Sequence, residues 1–294
     1  MSGAADPSSA LRDLVARLAR PEVLGHPVER AQVLETHISC VLLTGAWAYK
    51  FKKPVALGFL DFTTLAARRD ACFEELRLNR RLAPDLYVDV LSVTGTPEHP
   101  EFSGAGAAFE YAVRMREFPQ AALGTSVLAA GDLAAGMVED LGSRLGAFHA
   151  ATPAASPDSG WGSPSAVAEA VTAACEQVEG PAVTAAAAGL LATLRPALDA
   201  ALTLAAPRVE ARRLAGRVRE GHGDLHLGNL VLLGDRLVPF DCIEFSAALR
   251  WGDVAADIAF PCMDLSARGR PDLSTCLLGA WLDATGDVDA LGVL

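Results

Sequence analysis

The stretch Arg219–Phe245 reads REGHGDLHLGNLVLLGDRLVPFDCIEF and holds most of the residues able to do chemistry. His222, Asp224 and His226 alternate, and Asn229 follows Asp224 by five residues. An apolar run, Leu230 to Leu233, meets a Gly234-Asp235 turn. A second run, Leu237 to Phe240, delivers Asp241. Two apolar runs around a Gly-Asp pair predict a β-hairpin with polar groups at its open end. Pairing across it would bring Asn229 and Asp241 together as two hard oxygen donors, a set suited to Mg²⁺ and poorly suited to thiophilic metals. Asp224, on the loop before the hairpin, is placed to orient or deprotonate a hydroxyl. A second chemistry is open to the same residues. His222, Asp224 and His226 have the donor types of a Zn²⁺ or Fe²⁺ hydrolase. That reading leaves Asn229 and Asp241 without a role. The other four histidines, His26, His37, His99 and His149, form no paired motif.

Such groups need a scaffold, and the lysines point to part of it. Of 25 basic residues only three are lysine, and these sit together at Lys50, Lys52 and Lys53. A compact ammonium on a flexible stem reaches phosphate oxygens as a point charge. Gln32 to Pro54 reads as three short strands, the last carrying Lys50 and Lys52 on one face, since strand side chains alternate. Thr64 to Leu82 reads as a helix with Glu74 and Glu75. Glu74 has Arg77 three residues on, which accounts for it as a solvated surface pair. Glu75 is followed at those spacings by Leu78 and Asn79, so it is preferred as a partner for a strand lysine. Tyr87 to Val93 and Ala107 to Met115 read as strands, and Gly124 to Ala151 as helical. Residues 166–215 read as Ala-rich helices broken at Gly180-Pro181. Leu11 to Arg20 reads as a short helix ended by Pro21, and residues 1–10 as disordered.

Asp224, Asn229 and a hairpin-end Asp241, with the His-Gly-Asp-Leu-His form around Asp224, resemble the aminoglycoside and small-molecule phosphotransferase branch of the protein-kinase-like fold. That resemblance implies an α+β, two-lobed chain with its cleft between lobes: a β-rich N-lobe over 25–118, a helical C-lobe over 119–294, and a leading tail over 1–24. It implies ATP and Mg²⁺ as cofactors and a small-molecule hydroxyl as acceptor. By the same resemblance Asp224 is the catalytic residue, Asn229 and Asp241 hold the metal, and Lys50 steadies the phosphates with Lys52 as the alternative. Glu75 positions that lysine, with Glu74 as the alternative. Backbone near Met115 to Phe118 holds the adenine. His222, His226 and Asp253 support the site, Asp253 as a buried brace for the catalytic loop or as a simple helix N-cap. His149 reads as structural. Glu244 reads as a metal or outer-shell contact. No Gly-rich loop precedes Lys50, so Thr36–Ser39 would have to cover the phosphates.

Thr36-His37-Ile38-Ser39, Tyr49 to Pro54, Phe59 to Phe62 and Phe240 to Phe245 resemble one group more closely: bacterial phosphotransferase-like domains often fused to a P-loop ATPase or kinase domain. No G-x-x-x-x-G-K-[ST] occurs in this chain, so such a partner is expected as a separate protein. The chain reaches Leu294 within what would be the closing helices of the large lobe, a short natural form or a truncated one.

Composition narrows the remaining choices. At 294 residues, 51% apolar and 21% charged, the chain has material for a sizeable core. A formal charge of −11 makes nucleic acid and anionic membrane poor partners and favours a cationic acceptor. The six cysteines are scattered with no C-x-x-C, which fits a reducing cytoplasm better than a disulfide scaffold. The N-terminal residues show no signal-peptide pattern. Ala182 to Leu194 is too short and weakly apolar to span a bilayer.

Overall fold

A computed structural model describes residues 7–28, 30–58, 60–178 and 185–294. The expected break at Gly180-Pro181 and the motif residue Phe59 lie outside the described residues. The chain divides into two compact units. The first comprises the described residues up to Ala129 with Asn229–Leu233 and Val238–Ser246; the second comprises Ala130–Gly228, Gly234–Leu237 and Ala247–Leu294.

The first unit opens with α1 (Pro7–Leu18) and α2 (Pro21–Leu24). The helix expected from Leu11 thus starts earlier, and Pro21 begins a helical turn as well as ending one, because a helix's first residue needs no N–H partner. Then come β1 (Gln32–Glu35), β2 (Ser39–Leu43), β3 (Trp47–Lys52), the short pair β4 (Ala56–Leu57) and β5 (Leu60–Asp61), α3 (Leu65–Asn79), β6 (Tyr87–Gly95), β7 (Pro100–Phe102), β8 (Glu110–Arg116) and α4 (Gly124–Ala130). Six strands form an antiparallel sheet in the order β1-β2-β3-β8-β6-β7. Alternation along β3 sorts its side chains by face. Tyr49 and Phe51 pack with Leu11, Leu14, Val15 and Leu18 of α1. Ala48 packs on the opposite side with Cys72 of α3 and with Tyr87, Val113 and Met115. Lys50 and Lys52 share that second face with Ala48, so they point where α3 lies.

Helix α3 is capped by the Thr64 hydroxyl, which accepts from the Ala67 N–H at 3.1 Å. Its buried stripe is Arg68, Ala71, Cys72, Glu75, Leu78 and Asn79. That is helical spacing with charged groups in the apolar register. Arg68 is paired with Glu110 at 2.9 Å. Glu75 faces the lysines.

The second unit holds α5 (Ala135–Ala151), α6 (Pro164–Val178), α7 (Ala185–Leu214) and β9 (Val218–Glu220). A hairpin of β10 (Leu230–Leu233) and β11 (Arg236–Pro239) follows, then α8 (Ala247–Arg250), β12 (Trp251–Asp253), α9 (Val254–Ala267) and α10 (Pro271–Thr285). The single helix expected over Gly124 to Ala151 is two, α4 and α5; the chain turns between them at Gly131, whose φ of 83° lies in the left-handed region. The Gly189–Leu214 part of α7 is long and apolar enough to cross a membrane by length and composition. Its end is tied into the fold, because Arg212 is buried and doubly ion-paired to Asp253 and Asp287.

Helices α5 and α10 pack closely along Gly142 and Gly146. A Cβ on Gly142 would strike the Leu277 carbonyl oxygen and lie 3.1 Å from Ala280 Cβ. Backbone cannot yield as a side-chain tip can. Gly142→Ala is therefore expected to cost about 1–3 kcal/mol, read as a lower midpoint in thermal or urea unfolding; an unchanged midpoint would show that the helix pair adjusts freely.

Candidate active site

The lysine-bearing strand, α3 and the segment after the hairpin meet within the first unit. Lys50 Nζ donates to Glu75 Oε1 at 2.8 Å and also to the Asp241 carboxylate. Lys52 Nζ donates to the other oxygen of Glu75 and to Glu244. Glu75 is thus shared by both lysines. Its neighbour Glu74 pairs with Arg77 on the surface, the role its spacing suggested. Exposure separates the lysines. Lys52 is fully buried, whereas Lys50 reaches Asp241, whose side chain is 40% exposed. Lys50 is the one beside an accessible carboxylate. Burial pushes both lysines down, but the opposing charges win. Asp241 and Glu75 hold Lys50 well above the ordinary lysine range, and Glu244 and Glu75 raise Lys52. Burial pushes the Glu244 carboxyl up, and the Lys52 ammonium opposes that. Glu244, read from sequence as a metal or outer-shell contact, is the buried counter-ion of Lys52.

Asp241 is set by its backbone. Its φ is 62°, a left-handed conformation uncommon outside glycine and asparagine. Two side chains hold that turn. The Asp241 N–H donates to the Tyr87 hydroxyl at 3.1 Å, and the Cys242 N–H donates to Asn79 Oδ1 at 2.9 Å. Asn79 in turn donates to the Glu75 carbonyl at 2.9 Å. Neither Tyr87 nor Asn79 stood out as a site residue in the sequence. The Phe240 N–H donates to the Asn229 carbonyl at 3.0 Å, so the hairpin sets Asn229 beside the residue preceding Asp241. Two oxygen-bearing side chains at one hairpin end, one of them an accessible carboxylate, fit a hard divalent cation such as Mg²⁺. Met115 is buried in β8, and Phe118 packs edge-on against Phe240 with ring centroids 5.2 Å apart.

The loop carrying Asp224 is built within the second unit. Strands β9 and β12 pair antiparallel at its two flanks, Glu220 opposite Trp251. Gly223 has φ 84°, and a Cβ there would lie 2.9 Å from the Leu249 carbonyl, so this position of the His-Gly-Asp run requires glycine. Asp257 anchors the loop. Its carboxylate accepts from the N–H groups of His222 and Gly223, at 2.9 Å each, and lies 3.0 Å from His149 Nε2. His149 Nδ1 accepts from the Trp281 indole at 2.9 Å. Of the two roles open to Asp253, loop brace or helix N-cap, the structure shows the cap: its side chain accepts from the Ala255 N–H at the start of α9 and pairs with Arg212. The brace lies one helical turn further on. The sequence signal was a second Asp at i+4 in Asp253-Val254-Ala255-Ala256-Asp257.

His222 is buried and its Nδ1 accepts from the Asp224 N–H at 3.3 Å. His226 Nδ1 accepts from the Gly228 N–H at 3.0 Å, and its Nε2 lies 3.6 Å from Asp224 Oδ2. Both imidazoles thereby support the loop. Among the described residues no group of three or more His, Cys, Asp or Glu side chains is arranged to hold a metal ion.

Residues 59–291 match the phosphotransferase enzyme family. The chain belongs to that family. It is 28% identical over 265 residues to uncharacterized proteins of Mycobacterium tuberculosis and Mycobacterium bovis, a match covering 89% of this chain and 52% of theirs. The chain thus spans about half the length of these curated relatives. A choline/ethanolamine kinase family protein from Mesorhizobium loti has a similar fold, with a TM-score of 0.50 at 12% identity over 93% of this chain and 76% of that one. The fold is the two-lobed, kinase-like α+β arrangement that the sequence implied.

Burial pushes the Asp257 carboxyl up, but the hydrogen bonds from His149 and from the His222 backbone N–H hold it well below the usual carboxylate range. A depressed folded pKa stabilises the protein above the unfolded carboxyl's value, near pH 4, and that contribution is lost as pH falls through the acid range. Asp257→Ala should cost about 3 kcal/mol at neutral pH and flatten the acid limb of a stability-against-pH curve. An acid limb identical to wild type would remove Asp257 from this role.

Proposed function

We propose that the chain catalyses ATP- and Mg²⁺-dependent phosphoryl transfer to a hydroxyl of a small molecule. The observation that carries this reading is Lys50 Nζ bridging Glu75 and Asp241, all within one unit of the fold. A lysine held by a buried carboxylate on one side and by an accessible, metal-suited carboxylate on the other is poised for a metal–polyphosphate ligand. Asn229 and Asp241 would hold the Mg²⁺, whose charge offsets that developing on the transferred group. Lys50 steadies the phosphates and Glu75 positions Lys50. Backbone groups near Met115 and Phe118 receive the adenine. Asp224 orients the acceptor hydroxyl and takes its proton. Chemistry of this kind is mostly positioning and charge stabilisation. The acidic balance of the chain favours a cationic acceptor.

A second reading keeps the nucleotide and drops the transfer: a regulatory module that answers to nucleotide and acts on a separate P-loop ATPase or kinase.

Incubating the chain with Mg²⁺, ATP and a panel of hydroxylated amines tests the first reading. Transfer should appear with at least one acceptor, and Asp224→Ala should lower it by a hundredfold or more without loss of ATP binding. Undiminished turnover in that variant would sink the assigned role. Nucleotide binding with no transfer to any acceptor would support the regulatory module.

A further inference from the structure

The charged side chains around Glu75 form a closed circuit. Asp241 meets Lys50, Lys50 meets Glu75, Glu75 meets Lys52, and Lys52 meets Glu244. Glu244 returns to Asp241 through two intervening residues, Cys242 and Ile243. The circuit has three carboxylates and two ammoniums, and Asp241 is its most exposed side chain. The far side of the circuit is sealed: Lys52 and Glu75 have no exposed side-chain surface and Glu244 has 3%.

We propose that Lys52 and Glu244 are positioning residues that keep the metal end of the site in register when Lys50 changes partners. This rests on the phosphotransferase reading above. A cation arriving at Asp241 competes with the Lys50 ammonium for that carboxylate. Lys50 then trades it for a phosphate oxygen, and Glu75 loses nothing. Lys52 stays on the second oxygen of Glu75 throughout, so the Glu75 carboxylate cannot rotate away from Lys50. Through Glu244 the same ammonium holds the 241–244 segment against α3. A single strand lysine could not do both, because once it engages phosphate its own ionic link from α3 to the metal segment is gone, and only the Lys52–Glu244 pair then adds charge to the Asn79–Cys242 hydrogen bond there. Lys52, buried beneath, never touches the nucleotide.

The test is Mg²⁺–ATP affinity by calorimetry, with thermal midpoints, for wild type, Lys52→Met, Glu244→Gln and the double variant. Lys52→Met strands two buried carboxylates near one lysine, so it should lower the midpoint. Adding Glu244→Gln removes the stranded charge and should recover most of that loss. Affinity is expected to behave differently, falling tenfold or more in Lys52→Met and staying low in the double variant, because the ionic tether is still missing and the Asn79–Cys242 hydrogen bond alone does not fix the Asp241 carboxylate. A double variant that regains both midpoint and affinity would overturn the proposal and leave the pair a structural one. If Lys52→Met does not fold, the double variant and Glu244→Gln decide alone by the same criterion. A folded wild type that binds no Mg²⁺–ATP would overturn the phosphotransferase reading itself, and this proposal with it, before any substitution is compared.

Discussion

Glu75 is a carboxylate with no exposed side-chain surface, and the first unit is arranged to make that tolerable. An ionised group so placed is stabilised only when its oxygens are filled by opposite charge in good geometry. Two lysines from one strand supply it, one to each oxygen. The requirement fixes several other features. Strand β3 must present Lys50 and Lys52 on one face, which period-2 alternation provides. Helix α3 must carry Glu75 in its buried stripe. The segment after the hairpin must bring Asp241 and Glu244 to the outer sides of the lysines, and its backbone is held there by Tyr87 and Asn79. Removing either lysine would strip one of the two opposite charges from the buried Glu75 carboxylate.

The second unit solves a related problem with different groups. A loop that presents Asp224 has backbone N–H groups needing partners, and Asp257 accepts two of them. His149 and Trp281 back that carboxylate from α5 and α10. A buried polar chain of this kind rigidifies what it touches, provided each member is satisfied. Catalysis by positioning needs that rigidity more than it needs reactive groups.

How much of this the sequence disclosed depended on the type of signal. The lysine cluster, the hairpin and the His-Gly-Asp-Leu-His run are local patterns, so the Lys50 and Lys52 pair, Asp224, Asn229 and Asp241 could be found by spacing. Glu75 emerged by elimination, because Arg77 accounted for Glu74. Asp257 was missed in favour of Asp253. Both stand near the start of one helix, and the difference between capping it and facing the loop depends on the β9–β12 pairing, which no local pattern encodes. Lys52 and Lys50 could not be separated in sequence since both lie on one face of β3; only burial tells them apart. Tyr87 and Asn79 act through hydrogen bonds to backbone, and such contacts select no characteristic spacing.

The central claim is that Asp241 exchanges the Lys50 ammonium for a metal ion when nucleotide binds. Calorimetry of ATP with and without Mg²⁺, on wild type and on Asp241→Asn, measures this most directly. The account predicts one ATP per chain, bound more tightly with Mg²⁺ in wild type, and no Mg²⁺ dependence in the variant. A folded wild type that ignores ATP, or a variant that keeps full Mg²⁺ dependence, would contradict it.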